Sequence, residues 1–199
     1  MARPAGNVTG FTNQVEGGGI EAERIAMLKD SMPGLRRFGL VHNPDNPGGV
    51  VPTKAMAEAA RVLGSAASVF EARRAEDGER VFEAMGEAAV EAVAVEDDGM
   101  LNANRALSAA QAARRRLPLV CGFRVCAQAG CLLSYAVDLR DNARRAASYV
   151  DKLLKGAKPG ALPFQQPTKI DLVINIQTAK RLGLTVPAIV MIRAAEVID

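Results

Sequence analysis

Tryptophan is absent, histidine occurs once, and aromatic residues make up only 4% of the 199 positions. So few rings leave little on which nucleic-acid bases could stack, and a formal charge of +3, from 25 basic and 22 acidic residues, is too small for a dedicated nucleic-acid surface. With His42 as the sole imidazole, histidine-rich metal sites and most nucleophile–histidine triads are excluded. The three cysteines, Cys121, Cys126 and Cys131, recur every five residues, unlike the two-residue gap of zinc knuckles, and an odd count makes no disulfide framework. They are expected to be small buried hydrophobes. No apolar run approaches the roughly 18–20 residues that cross a bilayer. Residues 1–7 lack the apolar core of a secretory signal, so the chain, expressed as given, is expected to stay in the cytoplasm.

What remains is an ordinary globular composition, 49% hydrophobic and 24% charged, enough for one large domain or two small ones. Hydrophobic spacing predicts helices over 20–31, 52–63, 77–90, 101–116 and 139–155, the last with a stripe of Ala143, Ala146, Ala147, Val150 and Leu154. Between them, short apolar runs predict strands at 37–42, 68–71, 92–95, 118–122 and 131–135. Alternation of this kind predicts an α/β fold: a three-layer, Rossmann-like lobe with a mostly parallel sheet covered on both faces. After a Pro/Gly-rich stretch at 156–163 come a strand at 170–175 and two short helical pieces, too little apolar mass to fold alone. This tail should pack on something, yet the chain offers no obvious second core for it.

Several motifs carry a family likeness. Asn7-Val8-Thr9-Gly10-Phe11-Thr12, the His42-Asn43-Pro44 turn, Ala129-Gly130, Ser134-Tyr135, the run from Arg144 to Pro159, Gln166-Pro167-Thr168-Lys169, Leu172-Val173-Ile174-Asn175 and Thr178-Ala179-Lys180 together resemble the substrate-binding proteins of bacterial ABC importers, the TrpX-like subgroup. The resemblance runs from about residue 3 to the end. It implies the type I periplasmic binding fold, two Rossmann-like lobes closing on a small ligand. It further implies that residues 7–135 are the second, ligand-binding lobe, that 136–199 are the segment which in the family returns to the first lobe, and that most of that first lobe is absent, so that residues 156–199 are expected to pack loosely or to expose apolar surface. The implied partners are a small polar ligand such as an amino acid and ABC permease subunits; no cofactor is implied. The implied location is periplasmic or extracytoplasmic and lipid-anchored.

Open α/β sheets bind ligands beyond the carboxyl ends of their strands. By that rule the loop from Asn43 to Gly49 can offer backbone donors to a carboxylate, or is simply a tight Pro/Gly turn; the family often has a serine near Gly49, which is lacking here. Asp97, matching the family's acidic turn, can meet an ammonium group, while Asp98 reads as a cap for the following helix. Gly122, Phe123 and Arg124 complete the set, Phe123 as an apolar wall and Arg124 as an anion partner or an ordinary surface arginine. Thr9, Thr12, Ser134 and Tyr135 lie near the implied crossings between lobes. Cys131 and Ala136 stand where the family usually has glycine.

Two other readings compete with a binding protein. An enzyme would suit the architecture, yet Gly17-Gly18-Gly19 is not followed by Gly-Lys-Ser/Thr and no strand leads into Gly-x-Gly-x-x-Gly, so neither phosphate fingerprint is present. The other is a truncated product that binds nothing tightly, since ligand burial between two lobes is what produces affinity.

Overall fold

The computed structural model describes residues 6–13, 15 and 19–199; Gly17 and Gly18 of the glycine triplet lie outside them. Its elements run α1 Gly19–Ser31, β1 Arg37–His42, α2 Val50–Val62, β2 Ala66–Glu71, α3 Asp77–Glu87, β3 Ala92–Val95, α4 Gly99–Ala103, α5 Arg105–Arg114, β4 Leu119–Cys121, α6 Arg124–Gln128, β5 Leu133–Val137, α7 Leu139–Leu154, β6 Ile170–Asn175, α8 Ile176–Leu182, α9 Ala188–Met191 and β7 Ala194–Ile198. Among the described residues, no helix is long and apolar enough to cross a membrane.

Seven strands form one sheet in the order β2-β1-β3-β4-β5-β6-β7. The first five are mutually parallel, with Phe38 opposite Ala67 and Ala92, Val93 opposite Leu119, and Val120 opposite Leu133. At the centre both faces are covered, which is why β3 is Ala-Val-Ala-Val with all four residues buried. On one face α1 and α2 supply Ile25, Met27, Leu28 and Met56 against Phe38, Leu40, Ala94 and Val120. On the other, Val81, Phe82 and Met85 of α3 and Ala109 and Ala112 of α5 pack on Val41, Val93, Val95 and Leu119. The α/β reading therefore stands.

One expected helix is broken. Instead of a single element over 101–116 there are α4 and α5, and the interruption falls at Asn104, whose side-chain amide donates to the Met100 carbonyl four residues back at 2.9 Å. Asparagine competes in this way with the backbone's own helical bonding. Asp98 caps α4, its Oδ1 accepting from the Leu101 amide at 2.9 Å.

The tail departs from expectation more sharply. The amide of Asn175 donates to the Leu132 carbonyl at 2.9 Å and that of Asp138 to the Lys169 carbonyl at 3.0 Å. Residue numbers that rise on one strand as they fall on its neighbour mark β6 as antiparallel to β5, and β7 then lies parallel to β6. Leu172, Val173 and Ile174 are at most 2% exposed. Far from packing loosely, this part of the tail completes the core. Apolar exposure is confined to its fringes, at Ile189, Ile192 and Val197.

Two compact units result. One holds the described residues among 1–17 together with Val137–Ile170; the other holds those of 18–136 together with Asp171–Asp199. This partition differs from the expected boundary after residue 135, because β6 and β7 rejoin the sheet that β5 ends. In the smaller unit Phe11 bridges to Gln165, its ring lies 5.0 Å from that of Tyr149, and the Arg145 guanidinium sits 5.1 Å over its face. Arg145 also donates to the Gln166 carbonyl and to Thr168 Oγ1, and Tyr149 donates to the Pro163 carbonyl. The polar members of the motif over 144–159 thus hold the Pro/Gly-rich segment onto α7.

The cysteine expectation holds in one respect and fails in another. All three residues are buried, but Cys121 and Cys126 are joined as a disulfide with their Cα atoms 6.5 Å apart, leaving Cys131 as the free thiol. An odd count excludes complete pairing; it does not exclude a single bridge between the end of β4 and the short helix after it.

Candidate ligand-binding face

Four of the predicted residues, Asn43, Asp97, Gly122 and Phe123, follow the carboxyl ends of β1, β3 and β4, three strands that lie side by side in the sheet. That edge is where a parallel sheet presents loop amides and polar side chains to a ligand.

The loop after β1 is tightly bonded. Asn43 Oδ1 accepts from the Asp45 amide and Asn46 Oδ1 from the Gly48 amide, so each asparagine closes its own turn. The donors that remain do not face outward. The Asn43 amide and Asn46 Nδ2 both donate, at 3.0 Å, to the two oxygens of Glu96, and His42 Nδ1 lies 2.5 Å from the same carboxylate. Thr53 Oγ1 lies 3.3 Å from that ring nitrogen. Glu96 is 2% exposed. Gly49 makes room for it, since a β-carbon there would fall 1.5 Å from Glu96 Oε1. An internal carboxylate therefore fills the cradle that the sequence suggested for a ligand's. Glu96 was missed because, among three consecutive acidic residues, only its place directly after the buried strand 92–95 separates it from Asp97 and Asp98.

Asp97 sits next to this cradle, its side chain 34% exposed, with Oδ2 accepting from Arg24 Nη2 at 2.9 Å. Arg24, from α1, is fully buried and also donates through Nε and Nη2 to the Tyr135 carbonyl. Its Nη1 has no hydrogen-bond partner in the protein. Arg24 is the second residue that sequence reading missed: the helical pattern of 20–31 was read for its apolar face, and an arginine on that face reads as surface. Gly122 completes the arrangement, because a β-carbon would come within 1.8 Å of Asp97 Oδ1 and 2.1 Å of Arg24 Nη2. The pair thus lies in a pocket that only glycine leaves open.

Of the remaining predicted residues, Phe123 is half-buried and opens α6. Arg124, expected as an anion partner or an ordinary surface arginine, is paired with Glu196 of β7 and stays partly exposed. Tyr135 is half-buried, and burial, followed by the charge of Glu23, pushes its phenol above the ordinary range. Ser134 is fully buried, its Oγ without a hydrogen-bond partner in the protein. Thr9 and Thr12 belong to the smaller unit: Thr9 Oγ1 donates to the Leu162 carbonyl at 2.6 Å, and the Thr12 amide donates to the Gln165 carbonyl.

The sequence profile of a family described as ABC transporter substrate binding protein matches residues 1–198. No curated protein matches the chain. Solved structures do. A conserved domain protein from Vibrio cholerae aligns with a TM-score of 0.89 at 23% identity, covering 98% of this chain and 64% of its own. A Streptococcus pneumonia ABC domain in complex with L-Trp aligns at 0.86 and 22% identity, covering 98% and 66%. A ligand-free, open substrate-binding protein with adhesive properties from Clostridium difficile aligns at 0.74 and 16% identity, covering 99% and 64%. At these identities the likeness is one of fold, and the chain spans about two thirds of each relative's length.

Proposed function

Because the chain belongs to the ABC transporter substrate-binding protein family, we propose that the unit built on 18–136 and 171–199 supplies one wall of a binding site for a small zwitterionic molecule of the amino-acid class. Its role is binding rather than catalysis. The observation that carries this reading is Asp97: a carboxylate at the end of β3, held in place by buried Arg24 and still one-third exposed. With Oδ2 occupied, Oδ1 keeps acceptor capacity for an ammonium group. Phe123 forms an apolar wall beside it, and Asn43, Gly122 and the Tyr135 backbone frame the surface. Thr9, Thr12 and Ser134 rank lower, the threonines through their place in the other unit and Ser134 through its burial. The L-Trp complex of the pneumococcal relative favours the same ligand class. Permease subunits as partners and an extracytoplasmic location belong to the same proposal.

A charge-assisted hydrogen bond contributes about 1.5–3 kcal/mol, so Asp97→Asn should weaken amino-acid binding roughly ten- to a hundredfold. The measurement is a titration of the 15N-labelled chain with a panel of amino acids, following the amides of Asp97, Gly99, Gly122 and Phe123. Saturable shifts with zwitterionic ligands, absent with their N-acetylated forms, are the expected result. Shifts that are equal for N-acetylated ligands, or unchanged in Asp97→Asn, would remove Asp97 from the site. The second reading, a partial chain with no tight ligand, draws on the two-thirds coverage of the relatives; a panel that produces no saturable shift at all would support it.

A further inference from the structure

Cys121 closes β4, Cys126 lies in α6 and Cys131 precedes β5, yet their Sγ atoms all lie within 4.8 Å of one another. Each residue is at most 3% exposed. Backbone bonds hold this spacing: the Cys126 amide donates to the Phe123 carbonyl at 2.9 Å, and the Cys131 amide to the Cys126 carbonyl at 3.0 Å. The three sulfurs open onto one small cavity, shared with the apolar side chains of Val95, Leu101 and Leu119 and with Arg105. We propose that, with the Cys121–Cys126 bridge reduced, the three cysteines form a trithiolate site for a soft, closed-shell cation of the Cu(I) or Cd(II) type, and that the bridge closes the site when oxidised.

Geometry and chemistry agree on the class of ion. With metal–sulfur bonds of about 2.3 Å, three sulfurs around a trigonal ion stand about 4 Å apart, a spacing the cluster reaches with small side-chain rotations. Sulfur donors in an apolar wall select thiophilic ions over magnesium and calcium, which demand oxygen. Two features meet the negative charge that thiolates would bring. Arg105 lines the cavity as a cation. Ser134 sits opposite Cys121 in the β4–β5 register, its side chain on the same face of the sheet, fully buried and with Oγ lacking a partner in the protein.

The chemistry balances with an external dithiol as reductant. The S–S bond breaks, Cys121 and Cys126 each gain a hydrogen, and the dithiol leaves as its own disulfide. Metal entry then forms three metal–sulfur bonds and releases up to three protons. Because each thiol gives up its proton to the metal, affinity falls as pH falls.

The test uses the full chain, reduced with a dithiol, desalted without air and titrated with Cd(II) while sulfur-to-metal charge-transfer absorption is followed. Expected are one cadmium per chain, at least a tenfold loss of affinity in Cys131→Ser, and no such absorption in unreduced protein. Equal titrations for wild type and Cys131→Ser, or for reduced and unreduced protein, would overturn the proposal. Should the variant not fold, alkylation of the reduced wild type decides the matter by mass spectrometry. Cadmium should shield all three cysteines together, and shielding of two or none would overturn the site.

Discussion

Two glycines at the carboxyl-end edge of the sheet, Gly49 and Gly122, stand where carboxylates occupy the space a side chain would take. At Gly122 a methyl group would collide with Asp97 and Arg24, whereas at Gly99 it would meet nothing within 4 Å. Gly122→Ala should therefore cost about 1–3 kcal/mol as an overpacked site, and Gly99→Ala should change stability by no more than about 0.5 kcal/mol. Urea midpoints at a common slope make the comparison. The ion pair itself is asymmetric: Asp97→Ala leaves the buried guanidinium of Arg24 without its counter-charge, a loss of the kind that costs about 3–5 kcal/mol for fully buried pairs and less here because Asp97 is partly solvated. Arg24→Met, of similar shape and with no charge to strand, should cost less than Asp97→Ala. An opposite ranking in the same denaturation experiment would mean that the Arg24 bonds to Tyr135 matter more than its charge.

At the scale of single elements, α7 shows how a cap couples to acidity. Asp138 accepts from the amides of Arg140 and Asp141 and from Lys169 Nζ, and the Lys169 bond, ahead of the Asp141 amide, lowers the pKa of its carboxyl. A lowered carboxyl pKa stabilises the folded chain above the unfolded value of about 3.9, and that contribution is lost as pH falls through the folded value. Thermal midpoints of wild type and Asp138→Asn should therefore differ at pH 6 and converge at the acid end, with Asp138→Ala lower by about 1 kcal/mol at neutral pH for want of a cap. Strands were the easiest elements to read from the sequence, since residues 38–41 and 92–95 are short apolar runs that need only local information. The split between α4 and α5 was not legible because it depends on which way Asn104 turns its amide. The disulfide, likewise, depends on how α6 folds back toward the end of β4, which five-residue spacing does not encode.

For the whole molecule, the parallel half of the sheet followed from alternation of strand and helix, while the return of the tail did not. Leu172-Val173-Ile174 reads as a strand from sequence, but nothing local says which sheet it joins. Burial of Leu172, Val173, Ile174 and Val190 contributes roughly 6–12 kcal/mol at about 1.5–3 kcal/mol each, comparable with the whole stability of an ordinary domain. A chain ending at Ile170 should accordingly lose cooperative unfolding and bind hydrophobic dyes, and amides of Val173 and Ile174 should exchange as slowly as that of Leu40. Rapid exchange in β6 alone would place the tail outside the cooperative unit. On the candidate site, the strand-end rule pointed to the edge where Asn43, Asp97, Gly122 and Phe123 follow β1, β3 and β4. It did not reveal that Glu96 and Arg24 arrange the charges there, because both act from burial and acidic or basic side chains read as surface.

The antiparallel return of β6 also sets a timetable for synthesis. Strands β1 to β4 leave the ribosome before β6 and can pair in order, but β5 keeps one edge open until residues 171–175 have been made. Contacts so distant in sequence form late, and an unpaired strand edge is a site for misassociation in the interval. During translation, it is the arrival of β6 that covers the open edge of β5.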